Sequence, residues 1–286
     1  MVATPSRRKR KLGAHLRDVR DKNGMDMSDA AAVLRVSQST VSRFETGYLR
    51  PGWAVMLTLL DAYQAGDVDR ATAKALWEQA EESLPRIDLP GPAPKEYRLF
   101  LRAETEASAE RVIAPMVVHG LLQTPDYAEA LCRAGHRFHD PSVRVARYVA
   151  SWMRRQQRLS EANPLRLHAL LDEMTLRREV GGAHVLRDQL RHLVTLADRD
   201  NITIQVIPCC VGAYGTMSGP WTILDFEGPN EQPVVYLEHP LGGVMVEDGR
   251  EVERFTDNFA DITTLALNTD DSVAFIEKVA SELPAS

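Results

Sequence analysis

The sequence predicts an all-α bundle of five helices, joined by a proline-rich linker to a larger mixed α/β (α+β) domain. Residues 12–83 carry apolar side chains at helical spacing almost throughout. Residues 95–286 combine helical spacing with strand-like alternation. Between them, residues 84–94 include four prolines within ten positions, and such a segment cannot continue a helix and behaves as a semi-stiff spacer. A length of 286 residues agrees with two domains.

The five N-terminal helices follow from caps and apolar spacing. Gly24 suits the end of the first helix, Asp26 can cap the second with Asp29 in its first turn, and Ser37 can cap the third. The segments "WAVMLTLLDAY" and "DRATAKALWEQAEE" predict the fourth and fifth helices. The predicted inward positions are Leu12, Leu16 and Val19, then Ala30, Val33 and Leu34, then Val41 and Phe44.

The second domain alternates helices and strands. Helices are predicted over 95–111, 125–135, 141–163 and 184–199, with two closing helices over 251–267 and 270–283. Strands are predicted over 165–172, 202–208 and 242–248. Residues 221–239 predict a hairpin that turns at Gly228, Pro229 and Asn230.

Composition limits the class of protein. Hydrophobic residues make up 44% and charged residues 26%, as in globular proteins. No apolar run approaches the ~20 residues that span a bilayer, and no apolar region follows the basic start as in a secretory signal. Three cysteines, two of them adjacent, do not form a disulfide framework. We therefore expect a reduced, cytoplasmic, nucleoid-associated protein without a membrane partner.

Charge is distributed unevenly along the chain. Residues 1–50 contain eleven Lys or Arg and five Asp or Glu, a net charge of +6, which leaves −12 for the remainder because the total is −6. A basic module on an acidic body can bind a polyanion through one face. The basic run Arg7–Lys11 predicts an arm over residues 1–11, either reaching along a nucleic-acid backbone or simply solvated.

The second and third predicted helices form the motif that carries the chemistry. Two short helices about three residues apart, the second rich in small polar side chains, match the DNA-binding helix-turn-helix. In that motif the second helix enters the major groove of double-stranded DNA. The segment "SQSTVSR" supplies Gln, Ser, Thr and Arg, which can hydrogen-bond to base edges.

The stretch "VSQSTVSRFETGYLRP" makes this match more specific, because its caps, core positions and polar positions agree. Residues 12–65 resemble the phage-repressor type of helix-turn-helix, the XRE family. Met27 stands where that family usually offers a Gln to a phosphate, and Arg35 stands where its turn usually has Gly. Either the turn is strained, or Arg35 tolerates the geometry and gains a phosphate contact. The resemblance implies base-reading roles for Gln38, Ser39 and Arg43, and DNA-backbone contacts for Thr40, Ser42, Arg50 and Arg35.

The second domain has a resemblance of its own. The segments "GLLQTPDYAEAL", "LHALLDEMTLRREVGG", "LRDQLRHLVTLADRDNITIQVIP" and "SGPWTILDF" resemble the C-terminal domain of the WhiJ-like regulators of actinomycetes. His119 departs from that pattern, where Pro usually precedes "GLLQT". The resemblance implies control of developmental or secondary-metabolic genes, and a small BldB-related protein or a small-molecule effector as partner. We also expect a homodimer, because one helix-turn-helix binds weakly and two half-sites strengthen the complex.

Signatures of catalysis are missing, so we predict no enzyme activity, cofactor or metal. "GAYGTMSGP" is not followed by the Lys and Ser/Thr of a phosphate loop, and Ser218 lies in no nucleophile elbow. His136, His139 and Asp140 lack a further ligand cluster nearby, and Cys209 and Cys210 are expected to be partly buried. The element order of residues 165–238 is similar to phospholipase-D-like folds, which predicts a non-catalytic relative.

Other polar groups suggest a ligand or partner site in the second domain. Gln123 and Tyr127 could line a pocket. A second set of charged residues converges after the strand 165–172, either as a ligand site or as an ordinary surface ion-pair set: Asp172, Glu173, Arg177 and Arg178. A basic stripe could be a second DNA surface or a solvated helix face: Arg144, Arg147, Arg154, Arg155 and Arg158.

The sequence favours a transcription regulator whose helix 37–46 reads a palindromic operator. An antitoxin-like interaction module, whose main target is a small protein encoded next to it, is the alternative. The helix-turn-helix pattern and the +6 segment support the first interpretation.

Overall fold

The structure is a computed structural model that describes residues 7–81, 89–215, 217–228 and 231–284. It divides into two compact units, Met1–Pro85 and Arg86–Ser286. Residues 1–6 of the predicted arm, residues 84–88 of the predicted linker, and Pro229 and Asn230 of the predicted hairpin turn lie outside the described residues.

The first unit contains the five predicted helices. Their bounds are α1 Arg7–Lys22, α2 Met27–Leu34, α3 Gln38–Glu45, α4 Trp53–Ala62 and α5 Asp67–Glu81. The prediction of an arm over residues 1–11 is wrong for residues 7–11, which form the start of α1. Arg and Lys are good helix formers, and the guanidinium of Arg8 donates to the backbone carbonyl of Gln79 in α5 at 3.3 Å. The contact between Arg8 and α5 thus stabilises residues 7–11 as the first turn of α1.

The core of this bundle follows the predicted spacing with one exception. Leu12, Leu16, Val41 and Phe44 are buried with Val19 and apolar residues of α4. Val33, predicted to face inward, is 49% exposed, and Ala31 is buried instead. The eight-residue α2 therefore packs through Ala30, Ala31 and Leu34.

Helices α1 and α3 approach each other at two glycines. A Cβ on Gly13 would lie 2.5 Å from the backbone oxygens of both Phe44 and Glu45. Gly47, just after α3, has a φ of 75°, and its Cβ would lie 2.6 Å from the backbone nitrogen of Arg10. Backbone therefore packs against backbone here, and both positions require the absence of a side chain.

The second unit is built on a mixed six-stranded sheet in the order β3-β2-β1-β4-β5-β6. Strand β2 pairs in parallel with both β3 and β1, whereas the pairs β1–β4, β4–β5 and β5–β6 are antiparallel. The predicted hairpin is confirmed as the antiparallel pair β4–β5, and the last predicted strand as β6. The strands are β1 Ala109–Ala114, β2 Arg166–Asp172, β3 Ile202–Ile207, β4 Trp221–Asp225, β5 Val234–Leu237 and β6 Val244–Val246.

Strand β1 corrects the sequence prediction. The helix predicted over 95–111 ends at Glu106, and residues 109–114 form a strand between β2 and β4. In the sequence, the charged residues Glu110 and Arg111 continue the polar pattern of the preceding helix. In the structure, Arg111 instead forms a bidentate pair with Asp225 of β4, at 2.7 and 2.9 Å. Glu110 points to the opposite side of the strand and is buried.

Helices cover both faces of the sheet. One face packs against Phe100, Tyr127, Leu190 and Ile276, which come from four different helices, and the other packs against Phe259 of α11. The predicted helix 141–163 is shorter, because α8 gives way to a 3₁₀ turn over Gln156–Leu159. The phospholipase-D-like relationship stays a prediction. The helices are α6 Lys95–Glu106, α7 Pro125–Ala134, α8 Val145–Arg155, α9 Glu173–Arg177, α10 Ala183–Ala197, α11 Gly249–Leu265 and α12 Thr269–Glu282.

The contact at Gly13 gives a test of the bundle. We expect Gly13→Ala to destabilise the first unit by about 1–3 kcal/mol, because the new methyl group forces α1 away from α3. Urea unfolding read out by pulse-labelling hydrogen exchange of α1 and α3 measures this effect in the full chain. Gly66→Ala is the control, since no atom lies within 4 Å of its added Cβ. Equal unfolding midpoints for the two variants would contradict the close approach.

Candidate nucleic-acid interface

Helix α3 is anchored to the bundle through one face. Ser37 caps it by accepting a hydrogen bond from the backbone N–H of Thr40 at 3.2 Å. Val41, Phe44 and Glu45 are buried, at the i, i+3 and i+4 spacing of a single helix face. The cap and this buried face together fix which side chains point outward.

The opposite face holds the predicted base-reading residues. Gln38, Ser39 and Arg43 are exposed, and Ser42 is half-buried. Ser39 and Arg43 lie one helical turn apart, as do Gln38 and Ser42. The structure thus places the three candidates on one accessible face, where their reading of bases stays a prediction. Within the described residues, none of these four side chains makes a hydrogen bond or ion pair.

The predicted backbone-contacting residues have more varied surroundings. The hydroxyl of Thr40 lies 3.0 Å from that of Ser37. The guanidinium carbon of Arg50 lies 4.1 Å from the centre of the Trp77 ring, and Arg50 donates to the carbonyl of Trp77 at 3.3 Å. Arg50 is therefore held against α5. Its contact with DNA, and those of Thr40 and Ser42, stay predictions.

The two departures from the repressor pattern differ in their structural effect. Arg35 ends α2 with φ 54° and ψ 43°, the left-handed conformation that non-glycine residues adopt at a cost of about 1–2 kcal/mol. Of the two alternatives, the turn is therefore strained, and the exposed Arg35 side chain remains accessible. Met27, the first residue of α2, packs partly against the helical core.

A buried ion pair, which the sequence analysis did not identify, positions α3. Arg20 of α1 donates from Nε to Oε1 of Glu45 at 2.6 Å and from Nη2 to Oε2 at 3.0 Å. Arg20 also donates to the carbonyl of Met25 at 2.8 Å, and the Tyr63 hydroxyl lies 3.4 Å from Oε1 of Glu45. The hydrogen bond to Glu45 raises the pKa of Arg20, and burial raises that of Tyr63. The signal was available, because both charged residues fall at the i+4 position of an apolar seam, after Leu16 and Val41.

The candidate residues of the second unit are engaged in internal contacts. The Gln123 amide donates to the carbonyl of Val118 at 2.7 Å, and the N–H of Val118 donates to the Tyr127 hydroxyl at 3.3 Å. Both Gln123 and Tyr127 are buried. They hold the segment after β1 in place, an arrangement that does not favour their role in an open pocket.

The charged residues after β2 form the ion-pair set that was one of the two alternatives. Asp172 caps α9 and accepts a hydrogen bond from the Tyr214 hydroxyl at 2.7 Å. Glu173 accepts from Arg177 at 2.7 Å and from the backbone N–H of Cys209 at 2.9 Å, and the Cys209 bond lowers the pKa of Glu173. Arg177 also pairs with Glu282 at 2.9 Å, while Arg178 is exposed.

The remaining sequence candidates separate into different environments. Of the basic stripe, Arg144, Arg147 and Arg154 are exposed. Arg155 pairs with Glu104 in the interior, and Arg158 donates to the carbonyl of Ala107 at 2.8 Å, so neither belongs to a simple solvated face. His139 packs on the Tyr148 ring at 4.6 Å, and Asp140 bonds to Ser142. The expectation that Cys209 and Cys210 are partly buried is wrong, because both are exposed at a 3₁₀ turn.

Comparison with known families defines the class of protein. Residues 11–73 match a helix-turn-helix domain, so the first unit is a helix-turn-helix module, which points to a DNA-binding regulator. Residues 97–278, almost two thirds of the chain, match the domain of unknown function DUF5753. The chain therefore belongs to the DUF5753 family. A comparison with curated proteins finds no match. Among the helices of the described residues, none combines the length and apolarity needed to cross a bilayer.

The Arg20–Glu45 pair gives a test of how α3 is held. We expect Arg20→Met to cost about 3–5 kcal/mol, because the Glu45 carboxylate is left buried without its partner. Native-state hydrogen exchange of the α1 and α3 amides in the full chain measures this loss. Arg17→Met is the control, since Arg17 is exposed in the same helix and its pair with Asp21 contributes little. The double variant Arg20→Met, Glu45→Met should regain most of the lost protection. A loss in the double variant at least as large as in Arg20→Met would contradict this account.

Proposed function

We propose that this protein is a cytoplasmic, sequence-specific transcription regulator that reads its operator through α3. One observation carries the proposal. On the outer face of α3, the side chains of Gln38, Ser39 and Arg43 are exposed and make no hydrogen bond or ion pair with a described residue. Such side chains can pair with base edges in the major groove without breaking an internal contact. The helix-turn-helix match and the +6 charge of residues 1–50 support this reading.

The second unit, in this proposal, supplies homodimer contacts and receives a signal or a small partner protein, and it is not an enzyme. The resemblance to XRE-family and actinomycete WhiJ-like regulators supports a role in developmental or secondary-metabolic gene control. Residues 86–286, the second unit, contain 21 Lys or Arg and 29 Asp or Glu, a net charge of −8 that disfavours contact of this unit with DNA. We expect a palindromic operator with half-sites about one helical turn apart.

Replacement of the base-reading side chains tests the proposal. We expect Gln38→Ala and Arg43→Ala each to lose about 1–3 kcal/mol of affinity for the operator, with much smaller effects on unrelated DNA. Binding sites mapped across the genome supply the operator, and titrations at one moderate salt concentration supply the affinities. Gln79→Ala and Arg17→Ala are matched controls, because both side chains are exposed in the same unit but on helices other than α3. Unchanged specificity in both variants would contradict these roles.

Arg35 should behave differently, because a phosphate contact carries no sequence information. We expect Arg35→Ala to weaken operator and unrelated DNA alike and to reduce the slope of log K against log salt by about one. Affinity measured at three salt concentrations checks this. A selective loss for the operator would instead give Arg35 a base-reading role.

The antitoxin-like alternative makes a distinct prediction about partners. It requires a stoichiometric complex with the small protein encoded next to this chain, and loss of DNA binding in that complex. Co-expression of the two proteins followed by DNA titration separates the alternatives, because the regulator proposal requires operator binding by this chain alone.

A further inference from the structure

The interior of the second unit contains a cluster of ionisable side chains centred on Arg155. Arg155 of α8 donates from Nε and Nη2 to the two carboxylate oxygens of Glu104 in α6, at 2.9 and 2.5 Å. The Glu104 side chain is 2% exposed and that of Arg155 is 17% exposed. The opposite charges of these two side chains balance each other.

Glu110 of β1 lies near this pair, beside His119. Its side chain is fully buried, and neither carboxyl oxygen accepts a hydrogen bond from any residue that the structure describes. His119 Nε2 lies 3.3 Å from Oε1 of Glu110, and His119 Nδ1 likewise has no described partner. A buried polar group in this condition costs free energy. The cluster therefore offers hydrogen-bonding capacity that the fold does not use.

Burial favours the neutral form of both groups. Burial raises the pKa of Glu110 well above its usual range, and the nearby carboxylate of Glu104 raises it further. Burial lowers the pKa of His119 to about 3. The interior thus favours the carboxylic acid form of Glu110 in the free protein, and a cation placed beside it would favour the loss of its proton.

Aromatic rings lie along the same cluster. Tyr236 of β5 stacks on Phe100 of α6 with ring centres 4.4 Å apart, and Tyr97 lies 6.3 Å from Phe100. The Arg155 guanidinium lies 5.7 Å from the centre of the Phe100 ring. The hydroxyl of Tyr236 has no hydrogen-bond partner among the described residues. Carboxyl groups beside aromatic faces suit organic cations.

Exposure rises stepwise from Glu110 to the surface. Glu110 is fully buried, His119 and Arg155 keep a small accessible surface, Tyr97 is half-buried, and Glu238 after β5 is exposed. The protein around Glu238 nevertheless raises its pKa by desolvation. Once Glu104 is matched with Arg155, the carboxyl groups of Glu110 and Glu238 remain unmatched by a cation.

We propose that this cluster, the amine site, binds a small organic cation, a primary amine or guanidinium whose N–H groups donate to Glu110. Glu238 attracts the cation at the edge, and Tyr97, Phe100 and Tyr236 contact its apolar part. On binding, the Glu110 O–H bond breaks, the proton leaves to solvent, and the carboxylate accepts charge-assisted hydrogen bonds from the ligand. This inference rests on the proposed signal-receiving role of the second unit, for which it names the ligand class.

Calorimetry on the full chain with agmatine and putrescine tests the amine site without DNA. In two buffers of different ionisation enthalpy, we expect release of about one proton per ligand, because Glu110 ionises on binding. Apparent affinity should therefore rise by about tenfold per pH unit while Glu110 is protonated in the free protein. Tetramethylammonium, which has charge but no N–H group, should bind at least about tenfold more weakly.

Glu110→Gln is the decisive variant, because Gln preserves the shape of the neutral carboxylic acid but cannot ionise. We expect an unchanged circular dichroism spectrum, at least about tenfold weaker amine binding, and no proton release. Glu179→Gln is the matched control, since Glu179 is an exposed carboxylate of the same unit. Absence of binding by both probes, binding without proton release, or unchanged binding to Glu110→Gln would each overturn the proposal.

Operator titrations with and without saturating agmatine keep this inference separate from the proposed function. Amine binding that changes operator affinity supports both. Amine binding by a chain that recognises no DNA would contradict the proposed regulator function and would still support the amine site. Specific operator binding by a chain that binds neither amine would contradict the amine site alone.

Discussion

The geometry of the first unit depends on one buried ion pair, Arg20 with Glu45. A buried pair of this kind is costly to desolvate and contributes orientation more reliably than net stability. Its two parallel hydrogen bonds allow one relative placement of α1 and α3, and the backbone contact at Gly13 allows one distance. Because α3 is only eight residues long, a small rotation would turn Arg43 away from its present direction. The pair therefore fixes which face of α3 is presented.

Buried charged side chains have different hydrogen-bond partners in the two units. In the first, Arg20 and Glu45 satisfy each other, and Nη1 of Arg20 reaches the backbone carbonyl of Met25 and the carboxylate of Asp21. In the second, Arg155 satisfies Glu104, while burial favours the neutral forms of Glu110 and His119, and neither Glu110 oxygen nor His119 Nδ1 has a hydrogen-bond partner among the described residues. A satisfied network stiffens a fold, whereas an incomplete one retains free energy that a ligand can release. This contrast agrees with the roles proposed above for the two units.

The first unit was predictable from sequence because caps, spacing and turn residues agree over residues 12–81. The second was predictable only in part. Strand β1 was predicted as helix because Glu110 and Arg111 continue the polar pattern of the preceding helix. The residue that pairs with Arg111 in the sheet, Asp225, lies 114 residues away in the sequence. Arg20 and Glu45 are 25 residues apart, and apolar spacing indicates that such positions are buried without indicating what neutralises them. Exposure of Cys209 likewise depends on how the 3₁₀ turn sits after β3.

The outer face of α3 has a consequence for how such a protein changes over time. Gln38, Ser39 and Arg43 contribute no described side-chain bond to the bundle, so their replacement by other polar residues leaves the scaffold intact. Under the proposed function, recognition can therefore change with the target while a separate set of positions preserves stability. Duplicated copies of such a regulator could acquire new targets through a few surface substitutions, without passing through unstable intermediates.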